Sequence, residues 1–346
     1  MKKPFFTHKS IVLIPFMVMG LFSVSACSSP RLFHQAQWIM GTVVEITWFG
    51  SSSQENIVKE AFNVIKTVDK KMNPNDPRSD LAKINSNAGK GILTIDPMTC
   101  YVIQHGISMG KKTKGAFDIT LGSLIALWGW NTPSPHLPSP SDITQSLART
   151  GVKYIECHPS THQIRITHQG IRLDLGGIAK GYAVDRAVKV LKDDGMQAFI
   201  VNGGGDLYAS SHPPKRLWRI GVQDPDNPHR IVVTLRLQNR AIATSGDYEH
   251  FFIKNNTRYH HILNPHTGYP ARGLRSVSVL AKTVMEADAL ATALFVMGKK
   301  KAMTWLAGHP HYQGILIDES LHVYASTSLK SIARWDKRFK KSITYF

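Results

Sequence analysis

The stretch IRLDLGGIAKGYAVD, residues 171–185, decides how the rest of the chain is interpreted. Its first part alternates apolar and polar side chains, a period-two pattern that predicts a half-buried strand. Gly176 and Gly177 interrupt this pattern and allow backbone to approach a ligand closely. Apolar residues then recur at helical spacing. The stretch therefore predicts a strand, a glycine turn and a helix, with Asp174 at the strand end and Lys180 in the first helical turn.

This predicted corner has two interpretations. Lys180 would lie beside the free N–H groups of a helix N-terminus, and both favour anions, so the corner could bind an anionic ligand. Alternatively, Lys180 is a surface lysine and Asp174 a capping residue. Spacing alone leaves both interpretations open.

The first 26 residues have the form of a bacterial lipoprotein signal peptide. Lys2 and Lys3 precede an apolar run at 11–26, and the sequence VSAC at 24–27 resembles a lipobox. Cys27 would then be lipidated and would begin the mature chain. The sequence thus predicts a periplasmic protein with a lipid anchor in the inner or outer membrane; a plain secretory signal or a single membrane anchor is the alternative.

The chain has 346 residues and a formal charge of +18. This length suits one large domain or two small ones. The charge is spread along the chain, apart from a basic tail at 330–341 with interleaved aromatic residues. We interpret the tail as the end of a solvated basic helix. Anionic lipid or a small anionic substrate are weaker alternatives, and no nucleic-acid role is expected because it would rest on charge alone.

Cys100 and Cys157 are the two cysteines beyond the predicted signal. A disulfide is possible in an oxidising compartment, and the sequence leaves open whether they pair. No cluster of Cys or His has the spacing of a zinc site.

Predicted strands outnumber predicted helices, and many are linked as hairpins. This pattern predicts an α+β fold with largely antiparallel sheets and packed helices, rather than a doubly wound sheet. The two principal helices are predicted at 54–72 and 285–297, and residues 131–141, rich in Pro and Ser, predict a surface loop. Other predictions are a bulge at 40–42 within one strand over 31–50, an extended segment at 115–120 and a hairpin over 164–175.

Four glycine-marked loops follow predicted strands, and together they suit a large anionic ligand such as a dinucleotide. The loops lie at 40–42, 176–181, 203–206 and 264–268. None has Rossmann or Walker spacing, so neither of those folds is supported. Each loop alone is better explained as an ordinary turn than as a site.

Helix 285–297 places Asp288 and Thr292 four residues apart, on one face. A carboxylate and a hydroxyl are hard oxygen ligands, and Mg²⁺ is typically held by few such protein ligands together with water and phosphate. The alternative is a helix-terminal Asp and a Thr bonded back to a carbonyl. His260 and His261 lie near a strand end, where a histidine is either a general base or an ordinary surface imidazole.

Seven motifs occur in order across nearly all of the mature chain. They are MGT (40–42), GAFDIT (115–120), DLGGIAKGYAVD (174–185), NGGGD (202–206), TSGDYEHFF (244–252), HHILNPHTGYPA (260–271) and EADALATALFVMG (286–298). Together they resemble the ApbE family of FAD:protein FMN transferases. The resemblance implies a T-fold-related α+β domain over 27–346. It also implies Mg²⁺-dependent transfer of FMN from FAD to a Thr or Ser hydroxyl, with release of AMP.

The resemblance also implies roles for individual residues. The FAD contacts would be Met40, Asn75, Ala116, Phe117, Asp118, Asp174, Lys180 and Leu263. The Mg²⁺ ligands would be the Gly177 carbonyl, Asp288 and Thr292, and His261 would be the acid/base residue. The acceptors would be exported flavoprotein subunits of electron-transfer complexes.

Two positions depart from the family pattern. Asn75 stands where many relatives have a Tyr able to stack on the flavin, and this change would favour water as the acceptor. Asn264 replaces a frequent Asp, which keeps a turn-forming side chain but loses a charge. Asn75 therefore keeps open an FAD pyrophosphatase that releases FMN and AMP, and an alternative of a different class is an FAD-binding lipoprotein without turnover. Asp288 and Thr292 argue against the second, since storage needs no metal at the diphosphate.

Overall fold

The computed structural model describes residues 31–211 and 217–346. The predicted signal peptide and Cys27 lie outside the described residues. The helices are α1 (Glu55–Met72), α2 (Asp80–Ser86), α3 (Pro97–Lys112), α4 (Gly122–Leu127), α5 (Pro140–Leu147), α6 (Ala179–Asp193) and α7 (Val284–Ala307). The strands are β1 (Arg31–Ile39), β2 (Thr42–Gly50), β3 (Ile92–Thr94), β4 (Ile155–His158), β5 (Gln163–Ile166), β6 (Phe199–Gly203), β7 (Asp206–Ala209), β8 (Trp218–Asp224), β9 (Asn227–Leu237), β10 (Arg240–Gly246), β11 (Phe251–Lys254), β12 (Thr257–His260), β13 (Leu274–Ala281), β14 (Gln313–Asp318), β15 (Val323–Ala325), β16 (Ala333–Trp335) and β17 (Ile343–Tyr345).

A nine-stranded sheet, in the order β1-β2-β6-β7-β10-β13-β14-β15-β17, is the centre of the fold. All its neighbouring strands are antiparallel except β15 and β17. Helix α7 packs on β10 and β13 and against α6, which in turn contacts α1. The sheet β16-β9-β8 shares a second apolar cluster with the large sheet. The predicted α+β fold with largely antiparallel sheets is confirmed.

The motif at 40–42 forms the tip of a hairpin between β1 and β2. Met40 and Gly41 both have positive φ, at 55° and 70°, as a two-residue turn with the twist of a hairpin requires. The predicted bulge within one long strand was therefore wrong. The glycine reverses the chain instead of kinking it.

The segment before Gly176 is extended but does not form a regular strand. Every second side chain over 171–175 is buried, as the alternation predicted. The predicted hairpin over 164–175 was wrong, because β5 ends at Ile166 and pairs with β3 and β4. The backbone of the segment bonds instead to residues 119–122, since the Asp174 N–H donates to the Ile119 carbonyl (2.8 Å) and the Gly122 N–H donates to the Arg172 carbonyl (3.0 Å). The Asn85 side chain adds two bonds, donating to the Leu173 carbonyl (2.9 Å) and accepting from the Leu173 N–H (2.7 Å).

Two further local predictions were wrong. Residues 115–120 form a turn instead of an extended segment, because Gly115 (φ 82°) lets the chain leave α3 sharply and the Phe117 N–H donates to Thr113 Oγ1 (3.1 Å). The basic tail contains β16, which pairs with β9, in place of a helix end. Its Phe339 is buried in the second apolar cluster.

The two principal helices agree with their predicted positions. Helix α1 differs by one residue at its start, and the predicted end of the late helix at 297 coincides with a break at Gly298, whose φ of 71° and ψ of 167° are non-helical. Residues 131–139 contain neither helix nor strand. Among the described residues, no helix combines the length and apolarity needed to cross a membrane.

Candidate functional site

Helices α6 and α7 approach each other closely at Gly181. A Cβ on this residue would lie 2.6 Å from the Val284 carbonyl oxygen, so the approach requires glycine. The Gly181 N–H donates to Asp288 Oδ2 (3.1 Å). One turn further along α6, Asp185 accepts from the N–H groups of Val284 (2.8 Å) and Met285 (2.9 Å), and thereby caps α7. These contacts fix Asp288 beside the start of α6.

The glycine turn brings its backbone against the next turn of α7. A Cβ on Gly177 would lie 3.3 Å from Thr292 Oγ1. Because the Gly181 N–H is used by Asp288, it does not bond to the Gly177 carbonyl, which accepts no hydrogen bond from any described residue. Thr292 Oγ1 is 3.1 Å from Ser245 Oγ on β10. A free carbonyl, a carboxylate and a hydroxyl thus lie in one small region.

These oxygens fit a hard divalent cation. Asp288 Oδ2 accepts the hydrogen bond from the Gly181 N–H, while Oδ1 has no hydrogen-bond partner in the described part of the chain. Within residues 31–211 and 217–346, no group of three or more His, Cys, Asp or Glu side chains could hold a metal. A cation here would therefore depend on the Gly177 carbonyl and Thr292 hydroxyl, with water and ligand phosphate completing its shell, as Mg²⁺ prefers.

Lys180 forms an ion pair with Asp206 next to these oxygens. Lys180 Nζ lies 2.6 Å from Asp206 Oδ2, and the Asp206 side chain is only 3% exposed. Burial alone would lower the pKa of Lys180, but the Asp206 and Asp288 carboxylates raise it above its usual range. Burial, followed by the charge of Asp206, raises the pKa of Asp288 to about 8. Lys180 is therefore a cation at neutral pH, while Asp288 is readily protonated even though the Lys180 charge lowers its pKa.

The glycine loops predicted to share a ligand are physically connected. Gly204, at the tip between β6 and β7, donates its N–H to the Val43 carbonyl (3.1 Å), next to the 40–42 turn. The same tip carries Asp206 and so contacts the 176–181 loop through Lys180. The fourth loop contacts the 115–120 turn, since a Cβ on Gly115 would lie 3.3 Å from the His266 ring.

The 115–120 turn lies against Gly177. A Cβ on Gly177 would lie 3.3 Å from the ring of Phe117, which is buried together with Ala116. Asp118 accepts from the Thr120 N–H (2.8 Å) and hydroxyl (2.6 Å), and burial raises its pKa. The turn thus lies beside the candidate cation site, with two hydrogen bonds from Thr120 to Asp118.

The other predicted FAD contacts have varied surroundings. Asp174 accepts from the Gly176 N–H (2.8 Å) and so braces the turn, and burial raises its pKa. Leu263 is buried in a small cluster around Trp128. Asn75 is exposed in the loop after α1, where its N–H donates to Asn73 Oδ1 (2.9 Å).

The two adjacent histidines differ in environment. His260 is buried, with Nε2 2.8 Å from the Ala271 carbonyl and Nδ1 accepting from the Ile262 N–H (3.3 Å), which is a structural arrangement. His261 Nδ1 lies 3.4 Å from the His250 carbonyl. Burial, with the nearby His250 and His260, lowers the pKa of His261 to about 3, so its imidazole is neutral at pH 7.

Three acidic or hydroxyl groups of this region were not singled out from the sequence. Asp206 and Ser245 lie inside the motifs at 202–206 and 244–252, and Asp185 ends the opening stretch. The motifs were the available signal, but no local spacing links these residues to Lys180 or Thr292. Their roles depend on contacts between distant parts of the chain.

An α+β domain in which a lysine, carboxylates and glycine turns meet has the features of an enzyme that handles a diphosphate ligand. The chain belongs to the ApbE family, whose model matches residues 40–316. The resemblance seen in the sequence is thereby confirmed.

Individual relatives agree with this membership. The FAD:protein FMN transferase of Treponema pallidum is 27% identical, with 93% of this chain and 95% of the relative covered. The enzyme of the same name from Vibrio cholerae is 29% identical over 90% of this chain and 96% of its own length. The crystal structure of the ApbE protein from Thermotoga maritima superposes with a TM-score of 0.82 at 33% identity, covering 88% of this chain and all of the other. The flavin transferase ApbE from V. cholerae gives a TM-score of 0.78 at 27% identity, covering 88% of this chain and 99% of the other.

Proposed function

We propose that this chain is a Mg²⁺-dependent FAD:protein FMN transferase, which moves FMN from FAD to a Thr or Ser hydroxyl of a protein and releases AMP. The observation that carries the proposal is the meeting of the Gly177 carbonyl, Asp288 and Thr292 beside the Lys180–Asp206 pair. Membership of the ApbE family and the shared name of its relatives support the activity.

The reaction needs a phosphorus centre whose negative charge is offset. The acceptor hydroxyl attacks the flavin-side phosphorus of FAD, a phosphoester forms, and the bond to AMP breaks. Such transfers depend on charge neutralisation and in-line placement more than on covalent help from the enzyme. When bound, Mg²⁺ supplies positive charge at the diphosphate, and Gly177, Asp288 and Thr292 would hold it.

Lys180 and His261 have complementary roles in this proposal. Lys180 is cationic and 30% exposed, so it can contact a diphosphate oxygen while Asp206 holds its position. His261 is neutral at pH 7, because burial lowers its pKa and the charge of Lys180 lowers it further. With the Nδ1 proton directed at the His250 carbonyl, Nε2 is available to take the proton of the acceptor hydroxyl.

Walls of the FAD site would come from the surrounding loops. Met40, at its hairpin tip, and Ala116, Phe117 and Asp118, in the turn against Gly177, would border the proposed diphosphate position. Asp174 would hold the glycine turn rigid instead of reacting. We further propose that Cys27 anchors the enzyme by lipid in the periplasm, where exported flavoprotein subunits are its acceptors.

Water is the competing acceptor, and one observation favours it. Asn75 is polar and exposed where an aromatic residue would stack on the flavin, so the ring gains no stacking there. The second candidate function is therefore FAD hydrolysis to FMN and AMP at the same site.

One incubation separates these functions. The protein is mixed with FAD, Mg²⁺ and an acceptor domain containing the reactive Thr, and the acceptor mass and AMP are measured. We expect the acceptor to gain one FMN group with equimolar AMP, and an acceptor with that Thr changed to Val to gain none. FMN and AMP without labelling would establish hydrolysis instead, and neither product would overturn both proposals. Asp288→Asn should abolish product formation.

A further inference from the structure

We propose that Cys100 and Cys157 form a disulfide that ties α3 to β4 when the chain meets a disulfide oxidant. Their Sγ atoms lie 3.3 Å apart, and both are free thiols in this structure. They lie 57 positions apart in sequence, and neither is among the residues proposed to hold FAD. The proposal therefore does not depend on the transferase activity.

Contacts between the neighbouring residues of α3 and β4 hold the two thiols close together. Helix α3 and strand β4 pack against each other. Gln104, one turn after Cys100, donates its side-chain amide to the Cys157 carbonyl. Cys157 also pairs with Ile164 in the β4–β5 ladder. Because the backbones carrying both thiols are already fixed, bond formation needs only a small movement of the sulfur atoms.

A metal site does not explain the pair. Two thiolates could begin a site for a soft metal, but zinc and similar ions take four ligands from Cys, His or carboxylates. Among the described residues, neither cysteine belongs to a group of three such side chains suited to a metal. The two sulfur atoms are thus positioned to bond to each other as a disulfide.

The thiols differ in access, which sets the order of events. Cys100 is 1% exposed, and burial raises its pKa to about 12, whereas Cys157 is only half-buried. The Cys157 thiolate attacks a sulfur of an external disulfide, either a protein disulfide or oxidised glutathione, and one thiol leaves. The Cys100 thiol then loses its proton, and its sulfur attacks the Cys157 sulfur and releases the second thiol. Two protein thiols are oxidised and one external disulfide is reduced.

The bond would close a loop between residues 57 positions apart. Such a cross-link stabilises mainly by restricting the unfolded chain. It would also join α3, whose C-terminus leads into the Phe117–Asp118 turn, to the small sheet β3-β5-β4. Oxidation should therefore raise the thermal stability of the enzyme.

The test uses the full chain with Cys27→Ser, so that only these two thiols remain. It is treated with oxidised glutathione, unfolded, alkylated and digested, and the peptides are identified by mass spectrometry. We expect a linked peptide containing Cys100 and Cys157, no alkylation at either residue, and a Tm that rises by about 5–10 °C and returns on treatment with dithiothreitol. Because the same protein is compared before and after reduction, a folding defect cannot produce this difference.

The matched control adds Cys157→Ser to the same chain. Its Cys100 is buried and has no partner thiol, so it should remain alkylatable after oxidation, with a Tm that the oxidant does not change. Accumulation of glutathione on Cys157 without a linked peptide, or full alkylation of both residues after oxidation, would overturn the proposal.

Discussion

Replacing Gly181 by Ala should separate the two helices that position Asp288. The added Cβ would lie 2.6 Å from the Val284 carbonyl oxygen and 2.7 Å from the Met285 Cα, whereas ordinary contacts begin at 3.4 Å. Both neighbours are backbone atoms, so they cannot rotate away. Helix α7 must therefore move by about 0.8 Å at this point, which also stretches the Gly181–Asp288 hydrogen bond.

The size of the effect follows from that movement. Overpacking of this kind costs about 1–3 kcal/mol, which corresponds to a Tm lower by roughly 2–5 °C in a domain of this size. A displacement approaching 1 Å at catalytic groups lowers a rate by up to about 100-fold. We expect Gly181→Ala to lose about 10–100-fold in FMN transfer at saturating FAD.

The assay follows acceptor labelling by mass spectrometry, with Tm measured on the same samples. The matched control is Gly308→Ala at the other end of α7, where a Cβ would meet its nearest atom at an ordinary 3.6 Å. That variant should keep wild-type activity and Tm. Wild-type transfer by Gly181→Ala, or equal losses in both variants, would refute the reasoning.

Three further predictions concern charges and ligands around the site and the sheet. Lys180→Met should weaken FAD binding about tenfold, and it should lower Tm because the buried Asp206 loses its counter-charge. Adding Asp206→Asn to that variant should restore Tm, while FAD affinity, measured by titration calorimetry, should stay low. Thr292→Val should weaken Mg²⁺ binding by about tenfold or more, while Thr292→Ser keeps it, as measured by the Mg²⁺ dependence of transfer. Burial alone would raise the pKa of Asp318, but its hydrogen bonds, of which the one from the Ser320 side chain has the largest effect, lower the pKa from 3.8 to about 2. The ionised form therefore adds about 2 kcal/mol to the free energy of unfolding above pH 3.8, and this contribution is lost as the pH falls through 2. In denaturant unfolding, Asp318→Asn should be less stable than wild type at pH 7 and should match it near pH 2.

The sequence predicted best what depends on local periodicity. The apolar spacing of α1 and the start of α7 located both helices, and the alternation over 171–175 identified the buried side chains correctly. The hairpin assigned to that segment failed because its backbone bonds to residues 119–122, and because the side chain of Asn85, 88 residues from Leu173, substitutes for a further strand partner. Nothing in a local pattern reports such a substitute.

The candidate site shows the same limit. The four-residue spacing indicated that Asp288 and Thr292 share a helix face, but their meeting with Gly177 depends on packing between α6 and α7 that only Gly181 permits. The Lys180–Asp206 pair joins a helix to a hairpin tip 26 residues away. Motif resemblance supplied these residues as a set, and the structure supplies the physical contacts among most of them.

The proposed cation site can be tested with a crystal soaked with FAD and Mn²⁺, a substitute for Mg²⁺ whose position is seen by anomalous scattering. We expect one strong peak in contact with the Gly177 carbonyl, Asp288 and Thr292, with the FAD diphosphate on its open side and Lys180 at a phosphate oxygen. A peak elsewhere, or FAD bound with its diphosphate away from these groups, would contradict the proposed site.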